Sequence, residues 1–314
     1  MRLDKFLADM GVGSRSDLKK AIRKSLVTVN GVVEKDPGAQ VSAEDRIFFD
    51  GAEIRYAEQQ YYMLHKPAGV LSASEDRRQT TVVDLIRDAA STDASAANAS
   101  AADHHAAGGH ADGSIARSTE DELVRKDLFP VGRLDKDTEG LLIITNDGPL
   151  AHQLLVPKHH IDKTYYAIVT GTITEDDQRA FTRGIRYDEK LTALPATLRV
   201  LSTGKTVADL RRALGFTATS ERLLRTRLAG PAFVGAEEPA DITDDTLVSE
   251  VEITIQEGKF HQIKKMVKAL SGGKEILYLR RITMGALRLD PALAPGEFRK
   301  LSEDEIKILK DATN

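Results

Sequence analysis

Apolar and polar positions along this chain fall into short alternating runs punctuated by Gly, Asn and Pro, with stretches of helical period between them. The first 58 residues open on an amphipathic stretch from Leu3 to Met10, broken at Gly11 and Gly13. They continue into a helix over Ser16 to Lys24 that Ser14 or Ser16 can cap. Two β-rich runs follow, Val27 to Val33 and Ile47 to Gly51, carrying Asn30-Gly31 and Asp50-Gly51 as hairpin turns. Tyr61 to Val70 reads as a strand ended by Pro67-Ala68-Gly69, and Thr80 to Ala90 as a short helix. The run Leu141 to Thr145 is a buried strand, and a short helix follows from Pro149 to Leu155 with Pro in its first turn.

Further on, Pro157 to Val169 ends as a strand with alternating faces, on which the adjacent His159 and His160 point to opposite sides and do not share a metal. Thr174 to Gly184 is a helix opened by Thr-x-x-Asp, and Leu194 to Leu201 an edge strand because of Pro195. Helical period returns at Thr206 to Leu214 and Glu221 to Leu228, and Val251 to Ile255 alternates as a half-buried strand. From Phe260 to Leu270, Ile263, Met266, Val267 and Leu270 form one stripe of a helix whose other face is basic. Leu277 to Met284 is the last long strand and Ser302 to Asp311 the closing helix.

Composition changes the picture in two stretches. Residues 91–118 hold ten Ala, five Ser and three Gly, which is too little apolar surface to offset ordering, so a disordered or weakly helical loop is expected. Its His104, His105 and His110 lack Cys and a fixed scaffold for a metal. Residues 235–250 carry six acids and no Lys or Arg, so this segment is expected to face away from bound phosphate or to lie over a site as a lid. The 314 residues suffice for two domains, and the absence of Cys excludes disulfides and thiolate chemistry. The charged start at Met1-Arg2-Leu3-Asp4-Lys5 is no signal peptide and no apolar run reaches spanning length, so a cytoplasmic protein without membrane contact is expected.

A net charge of −4 confines any phosphate binding to local patches. One such patch lies in residues 1–24, where seven Lys or Arg face three Asp and Arg15, Lys19 and Arg23 share one helical face. That face is either solvated or phosphate-binding.

The strongest chemical candidate is Gly132-Arg133-Leu134-Asp135-Lys136-Asp137-Thr138-Glu139-Gly140, a loop running into the apolar strand that starts after Gly140. Asp135 between Arg133 and Lys136 is expected to stay ionised, and an ionised Asp can act as a nucleophile. The same spacing fits a turn residue or helix cap, and Asp135, Asp137 and Glu139 together fit, weakly, a carboxylate cluster for a metal or sugar.

This loop, with Leu141-Leu142, Thr145 and Asp147-Gly148, resembles the catalytic motif of bacterial rRNA pseudouridine synthases of the RsuA type. Tyr62 to Gly69, Lys163-x-Tyr165 and Glu257 to Met266 resemble further conserved stretches of that family, while Arg2 to Leu7, Ser14-Arg15 and Val27 to Gly31 resemble the S4 RNA-binding domain. Ser25 and Leu26 depart from it, standing where S4 domains carry Gly and a basic residue.

The resemblance implies an α+β protein: an S4-like RNA-binding domain over 1–58 and a catalytic domain over 59–314. The latter would hold a mixed, mostly antiparallel sheet flanked by helices, with insertions at 91–126 and about 203–248. It implies Asp135 as the catalytic residue, Lys264 as its partner, Tyr165 packing on the target base, and Arg133 and Gln262 as further substrate contacts. Arg2, Lys5, Arg15, Lys19 and Arg23 would contact RNA. The implied activity is isomerisation of one uridine of 16S rRNA, naked or in an assembling small subunit, by a monomer with neither cofactor nor metal. Alternatives are a 23S target, a non-catalytic S4 assembly factor, and a nucleoside glycosidase releasing uracil.

Overall fold

In a computed structural model of the protein, the described residues are 1–10, 12–54, 59–89, 124–189, 191–214 and 242–313, with side chains of 211–214 excepted. The expected loop at 91–118 with its three His residues and the expected helix Glu221 to Leu228 lie outside them. Contacts divide the chain into two units, Met1–Gln60 with Val83–Phe129, and Tyr61–Val82 with Pro130–Asn314.

In the first unit α1 (Leu3–Asp9) and α2 (Arg15–Arg23) precede the strands β1 (Val27–Val29), β2 (Val32–Val33), β3 (Ile47–Phe49) and β4 (Ala52–Ile54). Ser14, not Ser16, caps α2, accepting the Asp17 N–H. The strands form an antiparallel sheet in the order β2-β1-β3-β4. Asn30-Gly31 and Asp50-Gly51 have positive φ at both residues, the backbone of a tight hairpin turn. Leu3, Phe6, Leu7, Leu18, Ile22, Val27 and Ile47 bury the apolar stripes of both helices against this sheet. Ser25 holds φ +65, so the turn into β1 keeps a left-handed residue although it is not Gly. A helix, α3, covers 82–89.

The second unit is built on β5 (Tyr61–Lys66), β7 (Glu139–Thr145), β8 (Lys163–Thr170), β9 (Thr197–Thr206), β10 (Leu247–Ile255), β11 (Ile276–Met284), β12 (Leu287–Arg288) and β13 (Phe298–Lys300), with the two-residue β6 (Phe129–Pro130) before β7. Its sheet runs β13-β5-β7-β11-β8-β10-β9, with β12 beside β11. β7 and β11 are parallel and the other described pairs on this path antiparallel, so the α+β class with a mixed, mostly antiparallel sheet holds. Every residue of β5 and β7 is buried, which explains their unbroken apolar runs. β9 stands at the edge as Pro195 implies, starting at Thr197. The helices α4 (Gly148–Leu155), α5 (Glu175–Arg183) and α6 (Val207–Leu214) follow β7, β8 and β9. Asp147 caps α4, and Thr174 with Asp177 forms a capping box on α5.

Three local expectations change. His159 and His160 are not on a strand: Pro157–His159 is a single 3₁₀ turn and His160 follows in the left-handed region, because Pro157 favours a helical start over extension. β10 begins at Leu247, so the end of the acidic segment is sheet, and Glu250 there accepts from Tyr166, Ser202 and Lys205 instead of standing as an unpaired charge. The basic helix runs from Gln262 to Lys268, since His261 at φ +53 cannot continue a right-handed turn.

Candidate active site

The Asp135 loop enters β7, and its backbone is tied down from the segment after β5. Ser72 exchanges two hydrogen bonds with Leu134, accepting at 3.1 Å and donating at 2.9 Å, and the Gly69 N–H donates to the Lys136 carbonyl at 2.7 Å. Lys66, with no exposed surface, donates to the carbonyls of Pro67, Lys136 and Thr138 at 3.0, 3.2 and 3.0 Å. Burial lowers its pKa to about 8, against the pull of the nearby carboxylates. Gly140, at φ +107, closes the loop onto β11: a Cβ there would fall on the Arg281 backbone, 2.6 Å from its nitrogen. Half-buried Tyr278 donates to Glu139 at 2.7 Å and fixes the first residue of β7, its phenol pushed up in pKa by burial.

From the far side comes the helix Gln262–Lys268, whose buried Ile263, Met266 and Val267 hold its basic face toward the loop. The Lys264 ammonium lies 3.0 Å from Asp135 and 2.6 Å from Asp137. His261 Nε2 is 3.7 Å from the other Asp135 oxygen. Residues expected to flank Asp135 electrostatically do not do so: the Lys136 ammonium donates to Gln79 at 2.6 Å and Arg133 is exposed. A loop turns successive side chains apart, so neighbours in sequence are not partners in space. The Asp135 side chain keeps 26% of its exposure and faces an open cleft of about 400 Å³, mouth included. Arg133, Tyr165, Gln262 and Lys264 all line this cleft with Asp135.

Tyr165 reaches the cleft from β8, where it is buried opposite Arg281 and Ile253. Lys163, two residues earlier on the same face, donates to the Ile161 carbonyl, and burial lowers its pKa to about 8. Gln262 has local partners: it donates to Glu257 at 2.9 Å and accepts the Lys259 N–H at 3.0 Å, bracing the turn before the helix. Sequence reasoning missed His261 and Thr138, and placed Asp137 only in a weak carboxylate cluster, not as a partner of Lys264. Thr138, which lines the cleft, has a buried Oγ1 with no hydrogen-bond partner. Its place beside Asp135 in the motif was the available signal.

In the first unit Arg2, Arg15 and Lys19 converge on one fully buried carboxylate, Asp4, at 3.0, 3.1 and 3.9 Å. The Arg2 hydrogen bond holds the Asp4 carboxyl below the usual carboxylate range. All three cations stay about half exposed, and Lys5 and Arg23 are exposed on their helices. Such a cluster can take a phosphate with its side chains already ordered.

Comparison with known proteins gives the family. Residues 60–269 match the RNA pseudouridylate synthase family and residues 1–47 the S4 domain. An uncharacterized RNA pseudouridine synthase of Bacillus subtilis is 35% identical over 312 residues, covering 99% of both chains. The ribosomal small subunit pseudouridine synthase A of Vibrio cholerae is 31% identical over 98% of both, and the ribosomal large subunit pseudouridine synthase B of Bacillus subtilis 30% identical over 98% of this chain and 95% of its own. A pseudouridylate synthase crystal structure, 29% identical, superposes with a TM-score of 0.51 over 98% of this chain and 99% of that one. Two domain matches in the same order, carried by relatives along their whole length, admit one conclusion: the chain belongs to the RsuA-type RNA pseudouridine synthases, enzymes built from an S4 domain and a pseudouridylate synthase domain.

Proposed function

We propose that this enzyme isomerises one uridine of 16S ribosomal RNA, with Asp135 as the catalytic residue. The observation that carries the assignment is the Asp135 carboxylate at the cleft wall, paired with Lys264 at 3.0 Å and still open to a ligand. The reaction breaks the N1–C1′ bond, turns the uracil, forms a C5–C1′ bond, and moves the C5 proton off while N1 gains one. A stacked base cannot turn, so the nucleotide is flipped into the cleft. Asp135 starts the cleavage, Lys264 keeps its carboxylate oriented and charge-matched, and Tyr165 packs on the uracil. Arg133 at the rim holds a neighbouring phosphate or fills the vacated stack. The cleft must exclude water while the base is detached, or uracil is lost.

The S4-like region, residues 1–58, supplies RNA affinity through Arg2, Lys5, Arg15, Lys19 and Arg23, and 59–314 supplies the chemistry. The small-subunit relative supports the 16S target, and the large-subunit relative of nearly equal identity makes 23S rRNA the second reading.

Pseudouridine mapping of 16S and 23S transcripts after incubation with the protein tests this. The expected result is one new site in 16S RNA, absent with Asp135→Asn, which still retains RNA on a filter. A new site in 23S RNA alone moves the target to the large subunit, and free uracil makes the protein a glycosidase. Full turnover by Asp135→Asn overturns the assignment of the catalytic residue.

A further inference from the structure

The turn ahead of the basic helix carries a feature that neither the fold nor the Asp135–Lys264 pair needs. Phe260 is 69% exposed and the one aromatic residue in the exposed class among the described residues. Scattered exposed aliphatics need no explanation, but this ring is not loose. It stacks on the His261 imidazole with centroids 3.8 Å apart and planes 20° from parallel. The Lys265 ammonium lies 5.9 Å from its centroid, at the outer reach of a cation–π contact. His261 holds the left-handed conformation, costly for a residue with a Cβ, and its side chain makes no capping hydrogen bond to the helix it precedes. The strained turn instead sets the imidazole between the Phe260 ring and Asp135, with Nε2 3.7 Å from the carboxylate.

A solvent-facing aromatic plane is thus joined through one imidazole to the Asp135 carboxylate, with the Lys265 ammonium at its side and Lys259 and Lys264 in the lining of the adjacent cleft. A flipped uridine leaves its neighbour in the strand with one face unstacked, and an aromatic ring beside cations is the surface that replaces lost stacking for any base. We propose that Phe260, backed by His261, is a stacking subsite for the unpaired base flanking the target uridine. This rests on the reading of Asp135 as the reaction centre. The cations disfavour an apolar protein partner, and the step from Phe260 through His261 to Asp135 matches a base adjacent to the flipped one.

The chain has no Trp, so Phe260→Trp in an Asp135→Asn background places a single indole at the subsite without turnover. Saturation with 16S or 23S transcripts is expected to quench that indole and shield it from acrylamide. In the Asp135 enzyme, tritium release from 5-tritiated uridine in the same RNA is expected to show Phe260→Leu losing on the order of 10-fold in kcat/KM, through KM, with Phe260→Tyr recovering most of it. An indole as open to acrylamide with RNA as without it overturns the subsite whatever becomes of the uridines. A shielded indole in a protein that makes no pseudouridine keeps the subsite and removes the catalytic reading.

Discussion

Lys66 shows how much of a loop can rest on one side chain with no exposed surface. Its ammonium gathers three carbonyls beneath the Asp135 loop at the cost of full burial. The folded pKa of about 8 lies below the ordinary 10.5, so between those values the unfolded chain holds more protons on this amine than the folded one. Raising the pH through that window therefore stabilises the fold, by about 3 kcal/mol over the whole range for this group. Lys66→Met removes that dependence. Denaturant melts at pH 7.5 and pH 10.5 (approximate bounds of the window) should show the stability difference shifting toward the wild type by roughly that amount. An unchanged difference would mean that burial does not lower the Lys66 pKa. Little of this was legible in the residue string, where Lys66 reads as the last position of a strand before Pro67. Asp135 and Lys264 were legible through motif resemblance, whereas Asp137 beside Lys264 depends on the way the loop turns, which no spacing rule reports.

At the scale of elements, local rules performed well wherever the determinant was local. Helical stripes, the Thr174 box, both hairpin turns and the edge position after Pro195 all follow from neighbours within a few residues. Sheet order was not readable, since pairing β11 between β7 and β8 depends on packing of distant segments. The same limit applies to α1 and α2, whose basic face was visible while its organiser was not. Asp4 is buried beneath Arg2, Arg15 and Lys19, and so couples two helices through one carboxylate. Asp4→Asn removes a negative charge from the basic patch proposed to meet RNA, yet should weaken RNA binding about three- to tenfold, because the cations lose their ordering. Lys19→Ala should instead lower the slope of log affinity against log salt by about one. Filter binding across a salt series separates the two, and tighter binding by Asp4→Asn would show that charge alone matters there.

Across the whole molecule, the cluster of Lys264, Asp135 and Asp137 is assembled from segments far apart in the chain, with Lys264 and Asp137 separated by 127 positions. The sheet that joins them has a late strand in its middle: β5 and β7 form one part, β8, β9 and β10 another, and β11 bridges the two. Its parallel seam with β7 exists because Gly140 lets the Arg281 backbone approach closely. A chain ending at Leu270 keeps Asp135, Tyr165 and Lys264 but has no seam. Hydrogen exchange should show the β7 and β8 amides of such a chain losing protection, with pseudouridine formation absent. Retained protection would mean the two parts are held by something other than β11. Because that strand follows α1 and α2 only far along the chain, a growing polypeptide possesses its basic helices long before the Asp135 loop is seated against β11. With the proposed roles of the basic patch and of Asp135, attachment to RNA can thus precede competence, and an abandoned translation product would be chemically silent toward the RNA it holds.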